Sequence, residues 1–158
     1  MALPPSALNS LYQELILQHY RKPRNRGEMD APDAEVHLYN PTCGDELTLQ
    51  LRVRGGVIEE VRFGGQGCSI SQASASMMTE RLVGRPLEQA HALTERFREM
   101  LHGDAEAARD PALGDLRALA GVSRFPVRVR CAMLAWDALE QAEQRLPKAE
   151  PDREAGSG

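Results

Sequence analysis

Cys43, Cys68 and Cys131 are the residues of this chain best suited to chemistry, and each lies where a backbone would present a thiolate. Cys43 stands in the turn-rich stretch Asn40-Pro41-Thr42-Cys43-Gly44-Asp45, just before an alternating strand pattern. Cys68 closes the Gly-rich loop Gly64-Gly65-Gln66-Gly67 and opens a helical pattern, where the positive end of the helix dipole favours thiolate. Cys131 lies near the start of the last predicted helix, Phe125 to Gln144, a rigid mount for a ligand. Asp45 is two residues beyond Cys43, so on an extended backbone both side chains point the same way. Gly44 between them lets the chain pass close to an ion. Three sulfurs and a carboxylate suit a tetrahedral zinc ion, with Asp45 as the hard, labile ligand. The competing reading is three unrelated buried cysteines acting as small apolar residues. Spacing does not decide, because 24 and then 62 residues intervene and no C-x-x-C pair occurs. The Gly-flanked context of two of the three favours ligands.

The elements that must position these residues follow from periodicity. Leu8, Leu11, Tyr12 and Leu15 recur at helical spacing, with Ser10 and Gln13 fitting a capping box or a helix start nearer Ser6, and Pro23 and Gly27 ending the helix. Arg21 to Arg26 reads as a basic loop, solvated or used for docking. Glu35 to Tyr39 is a short strand. Leu47, Leu49, Leu51 and Val53 alternate with polar residues in a half-buried strand, Gly55-Gly56 signals a hairpin, and the return strand runs from Val57 to Phe63. Ser69 to Val83 is a helix of small residues, broken by Gly84-Arg85-Pro86 and followed by a helix from Leu87 to Leu101. A polar loop with a helical turn precedes a short helix, Leu113 to Ala120, ended by Gly121. Pro126 suits the first turn of the last helix, whose buried stripe is Leu134, Ala138, Leu139 and Ala142. The fold class expected is α+β: a small three-stranded antiparallel sheet with helices packed on it. Residues 1–146 form one domain, and 147–158, charged and Pro/Gly-bearing, form a disordered tail.

Composition narrows the function. The chain has 158 residues, 42% hydrophobic and 27% charged, ordinary for one globular domain. A formal net charge of −4 points away from nucleic acid. No apolar run is long enough to span a membrane, and the N-terminus lacks the basic and apolar regions of a signal peptide. An odd, small number of cysteines points to a reducing cytoplasm, where thiols serve as ligands or nucleophiles.

The residues around the cysteines carry a family likeness. The run from Leu11 to Gly27, including His19-Tyr20-Arg21-Lys22-Pro23-Arg24-Asn25-Arg26, resembles the opening helix and loop of the IscU/NifU N-terminal family. Asn40 to Asp45 is similar to its first ligand loop, and Gly64 to Ser76 to its second. The resemblance covers about Leu8 to Gln144 and implies that Cys43, Asp45, Cys68 and Cys131 are metal or cluster ligands. Two features resemble the SufU branch: a longer gap between the second and third cysteines, with an insert at Gly103 to Gly121, and a basic residue before the third cysteine in Arg128-Val129-Arg130-Cys131, where scaffolds carry histidine. Ser123-Arg124-Phe125-Pro126 is similar as well. This likeness implies a zinc-dependent sulfur acceptor that takes persulfide sulfur on Cys43 from a cysteine desulfurase and feeds downstream cluster-assembly proteins. Such a protein is a partner of the desulfurase rather than a stand-alone enzyme. The alternative is a scaffold that assembles a [2Fe–2S] cluster, or holds iron, on the same cysteines. A structural zinc module is disfavoured by the carboxylate ligand, because structural sites are closed by Cys and His.

Other residues read more plainly. His19, His37, His91 and His102 are remote in sequence from the cysteines, and His19 reads as a packing residue. Met77, Met78 and Trp136 read as core. Arg128, three residues before Cys131, shares its helix face and reads equally as a thiolate partner or a solvated side chain.

Overall fold

The computed structural model describes residues 5–146, and side chains from residue 13 onward. Three antiparallel strands, β1 (Ala34–Asn40), β2 (Asp45–Arg54) and β3 (Val57–Gln66), form a sheet in the order β1-β2-β3. The alternation in β2 sets its faces: Leu47, Leu49 and Leu51 are fully buried, while Glu46, Thr48 and Gln50 point outward. Gly55 and Gly56 both take positive φ, 59° and 77°, as a tight two-residue hairpin requires. β3 runs further than the predicted end at Phe63. Gly64, Gly65 and Gln66 pair with Thr48, Leu47 and Glu46, so most of the expected Gly-rich loop is strand. A Cβ at Gly65 would overlap the Glu46 carbonyl, which is why the strand can continue only with glycine there.

Among the described residues, four α-helices and two 3₁₀ segments accompany the sheet, with α2 and α4 packed directly on it. Helix α1 is Pro5–Arg21, α2 Ser69–Leu82, α3 Leu87–Leu101 and α4 Pro126–Arg145. α2 packs against α1 and α4, and α4 lies on β1 and β2. Ser71 through Thr79 is buried on every side, and a helix can sit there because its side chains are small and its hydroxyls find partners. Ser74 Oγ donates to the Ala132 carbonyl at 2.6 Å. Ser76 Oγ accepts the Arg24 backbone N–H at 2.8 Å and meets His19 Nδ1 at 2.7 Å, the packing role expected of that histidine. Met77, Met78 and Trp136 are core, with Trp136 stacked on Phe97 at 4.7 Å between ring centroids. The side chains of the predicted stripe Leu8, Leu11 and Tyr12 and the whole tail at 147–158 lie outside the described residues, and α1 begins at Pro5, so Ser10 stands inside the helix rather than at its cap.

Further expectations change. The predicted helix at Leu113 to Ala120 is a 3₁₀ segment, Pro111–Arg124, preceded by a short one at Ala107–Arg109. Leu113, Leu116, Leu119 and Val122 recur every three residues and are all buried, the stripe that a helix of three residues per turn needs. Gly114, at φ 53° and ψ −129°, kinks the segment, and Gly121 does not end it. The basic loop is not free either. Arg24 Nε lies 3.3 Å from Glu80, and Arg26 donates to Gln72 Oε1 at 2.7 Å and to the Gly65 carbonyl, its guanidinium over the Phe63 ring. Both arginines are spent tying the loop to α2 and β3.

Candidate metal centre

The strand, two turns and two helices converge on one cluster. Cys43 lies in the turn joining β1 to β2, Asp45 opens β2, Cys68 caps the N-terminus of α2, and Cys131 sits in the second turn of α4. Asp45, Cys43 and Cys131 place their ligand atoms within 4.8 Å of one another. Cys43 Sγ donates to Asp45 Oδ2 at 2.9 Å, and the Cys43 and Cys131 sulfurs are 3.1 Å apart. Cys68 stands outside that compact group, its sulfur 3.7 Å from the same Asp45 oxygen. The other oxygen, Oδ1, accepts the Cys68 backbone N–H at 2.8 Å. Asp45 is therefore the hub that touches both ligand loops.

The path to this arrangement differs from the one expected. Cys43 is not on extended backbone; it meets Asp45 because Gly44, at φ 74°, reverses the chain between them. A Cβ at Gly44 would meet nothing within 4 Å, so the glycine there serves the turn. The close approach belongs to Gly67, where a Cβ would lie 2.5 Å from Asp45 Oδ1 and 2.5 Å from Ser71 Oγ. Cys68 takes the helix-cap position predicted for it: its sulfur accepts the Ser71 backbone N–H at 3.5 Å. Cys131 is fully buried, whereas Cys43 and Cys68 are half-buried.

One contributor was missed in the sequence. Asn40, buried at the end of β1, donates from Nδ2 to Cys43 Sγ at 3.1 Å, accepts the Thr42 N–H on Oδ1 at 3.1 Å, and accepts the Gly44 N–H on its carbonyl at 2.8 Å. The signal was an asparagine three residues before the cysteine in a turn, where its amide can bond the local backbone. The four histidines do not join the cluster; His37 bonds Thr48, and His102 bonds the Arg98 carbonyl.

Electrostatics show what the cluster lacks. Burial pushes the Asp45 carboxyl up, but hydrogen bonds from the Cys43 thiol, the Cys68 N–H and the other two thiols outweigh it and hold the group below its ordinary value. The buried Cys131 thiol is pushed strongly up, first by burial and then by its contacts with Cys43 and Asp45. Among the described residues no lysine or arginine pairs with Asp45, which is 1% exposed. A buried carboxylate ringed by thiols and without a cationic side chain fits a metal cation. Soft sulfurs with one oxygen fit zinc or iron among the divalent metals.

A comparison with known proteins gives the arrangement its family. The NifU-like N terminal domain family matches residues 11–150. The chain belongs to this family, the IscU/NifU N-terminal family. This IscU/NifU-type chain is 44% identical over 134 residues to the zinc-dependent sulfurtransferase SufU of Bacillus subtilis (strain 168), a match covering 85% of the chain and 90% of that relative. It is 42% identical over 145 residues to the iron–sulfur cluster assembly scaffold protein IscU of Streptococcus pyogenes serotype M1, covering 92% of the chain and 90% of the scaffold. A crystal structure from Fervidobacterium islandicum AW-1, of a scaffold candidate for the SUF iron–sulfur system, matches with a TM-score of 0.77 at 31% identity, covering 85% of this chain and 97% of that one. Within the IscU/NifU family the chain is of the SufU type. Its α+β fold, a three-stranded antiparallel sheet under helices, is the one expected. Among the described residues no helix is long and apolar enough to cross a membrane.

Proposed function

We propose that this protein accepts persulfide sulfur from a cysteine desulfurase on Cys43 and passes it on for iron–sulfur cluster assembly, with zinc held by Cys43, Asp45, Cys68 and Cys131. The observation that carries the reading is the convergence of three thiols on a buried carboxylate that has no cationic side chain. Zinc, when bound, would favour thiolate over thiol at these sulfurs.

The chain's own residues divide the work. Cys43 is the acceptor because it is half-buried and stands in a turn, while Cys68 and Cys131 are fixed by helices α2 and α4. Its thiolate attacks the outer sulfur of the donor persulfide. The donor S–S bond breaks, the donor cysteine leaves as thiolate, and the new S–S bond is on Cys43. The Asn40 amide N–H, already aimed at the Cys43 sulfur, favours negative charge there. Asp45 holds the Cys68 backbone in place whether or not Cys43 is engaged. The chemistry belongs in a reducing cytoplasm, where thiols stay free for transfer. The protein acts as a partner of the desulfurase, and downstream cluster-assembly proteins receive the sulfur.

A second reading, favoured by the 42% identity with a named scaffold, is assembly of a [2Fe–2S] cluster on the same cysteines. Metal analysis of protein purified without added iron separates the two, together with transfer of labelled sulfur from a desulfurase. About one zinc per chain and label on Cys43 are expected. An iron–sulfur chromophore with no zinc and no labelled Cys43 would replace the transferase reading with the scaffold.

A further inference from the structure

The surface beside the thiols differs from the rest of the molecule. Six large hydrophobic side chains are exposed among the described residues, and the three most exposed are Tyr39 at 60%, Phe125 at 59% and Val127 at 52%. All three lie on segments that lead into the cluster. Tyr39 precedes Asn40 and the Cys43 turn. Phe125 and Val127 open α4, and the Val127 carbonyl is 3.6 Å from the Cys131 sulfur.

Charge on this surface is equally uneven. Arg24, Arg52, Arg54, Arg62, Arg96 and Arg98 are all ion-paired. Arg124, Arg128 and Arg130 are exposed and make no hydrogen bond or ion pair among the described residues. They stand on the same turns as Phe125 and Val127. Between α1, the start of α2, the end of the 3₁₀ segment and the start of α4 a cleft of about 470 Å³ opens, with Ile16, Ile70, Val122 and Phe125 as apolar walls and Arg124 and Arg128 at its edge. Ile70 is two residues beyond Cys68, so the cleft adjoins a second ligand loop. An apolar cleft edged by unpaired guanidinium groups, on a chain of net charge −4, is built for an acidic partner with an apolar anchor.

We propose that the first two turns of α4 and the adjoining cleft form the docking surface for the sulfur donor, which inserts an apolar side chain flanked by acidic residues. The proposal rests on the sulfur-transfer reading for the identity of the partner. It places docking beside the cluster rather than on Arg24 and Arg26 of the Arg21 to Arg26 loop, which are engaged internally, although Arg21 and Lys22 of that loop are exposed. It also gives the partner a path to Cys43, because the helix that anchors it carries Cys131, the sulfur nearest Cys43.

The test is binding of the zinc-loaded full chain to an immobilised cysteine desulfurase, at low and high salt, with transfer of labelled sulfur followed in parallel. Phe125→Glu and the pair Arg124→Glu/Arg128→Glu should each weaken binding at least about tenfold, as expected for interface anchors. The loss in the arginine variant should shrink at high salt, because rim charges are screened. Val83→Glu, an exposed apolar position elsewhere, should bind as the native chain does, and thermal melts verify that every variant is folded. Native affinity in both the Phe125→Glu and the Arg124→Glu/Arg128→Glu variants, or no binding by the native chain, overturns the proposal. Binding that the variants weaken, with no sulfur reaching Cys43, would leave the docking surface standing and remove the sulfur-transfer function. A native dimer in sedimentation that Phe125→Glu dissociates would assign the face to a second copy and overturn docking of the donor.

Discussion

Asp45 carries a double duty at the smallest scale: one oxygen meets the Cys43 and Cys68 sulfurs and the other holds the Cys68 N–H. Gly67 makes that possible by leaving out a side chain. Gly67→Ala should therefore push Asp45 or Ser71 aside at an overpacking cost of about 1–3 kcal/mol and lower the metal content. Elemental analysis and a thermal melt measure both, and full metal occupancy with native stability would show that the loop relaxes freely. The two cysteines nearest each other should behave differently. Cys43→Ser should abolish sulfur transfer and lower the melt less than Cys131→Ser does, because its turn is half-buried. Cys131→Ser should lose zinc affinity and thermal stability together, because that sulfur ties α4 to the site. Equal losses in both variants would contradict distinct roles.

Among the elements, the 3₁₀ segment Pro111–Arg124 is the one whose sequence is easiest to misread. Its polar entry looks like loop, and its leucines look like a short α-helix. The three-residue spacing of Leu113, Leu116, Leu119 and Val122 instead suits a tighter helix, which packs on α3 and delivers the chain to the start of α4. Asp110 starts it, accepting the Ala112 N–H at 2.9 Å on one oxygen and Arg96 at 2.7 Å on the other. Leu116 is fully buried, so Leu116→Ala should destabilise by about 2–5 kcal/mol in denaturant unfolding while leaving the metal ligands in place. A loss well under about 1 kcal/mol would mean that the segment contributes little to the core.

For the whole molecule, stability should depend on pH through Glu143 on α4. Burial pushes its carboxyl up to about 7, with Glu140 adding to the shift and His91 opposing it. One of its oxygens is buried without a partner. The folded chain then holds this proton more tightly than the unfolded chain. The stabilisation is complete below the ordinary carboxyl value and is lost as pH rises through about 7. Glu143→Gln should flatten that decline, measured by urea unfolding on either side of neutrality; an unchanged slope would place the dependence elsewhere. Metal removal should also act globally, because the proposed ligands join β2, α2 and α4. Chelation should lower the melting temperature of the native chain and have less effect on Cys131→Ser.

Sequence alone determined most of the elements and the residue types of the candidate site. Strict alternation in β2, the Gly55-Gly56 turn and the apolar stripe of α4 are local patterns, and local patterns follow from side-chain period and backbone sterics. The three cysteines and Asp45 were legible because they stand at turns and helix starts. Tertiary structure decided everything that depends on residues distant along the chain. It ran β3 through Gly65, since only strand pairing brings Glu46 against that glycine. It consumed Arg24 and Arg26 in internal contacts and left Arg124, Arg128 and Arg130 free, a division that charge counting cannot make. It brought Cys43 within 3.1 Å of Cys131 across 88 positions, because β1 and β2 carry one and α4 lies over them with the other. Distance along a chain sets no distance in space; packing of buried faces does.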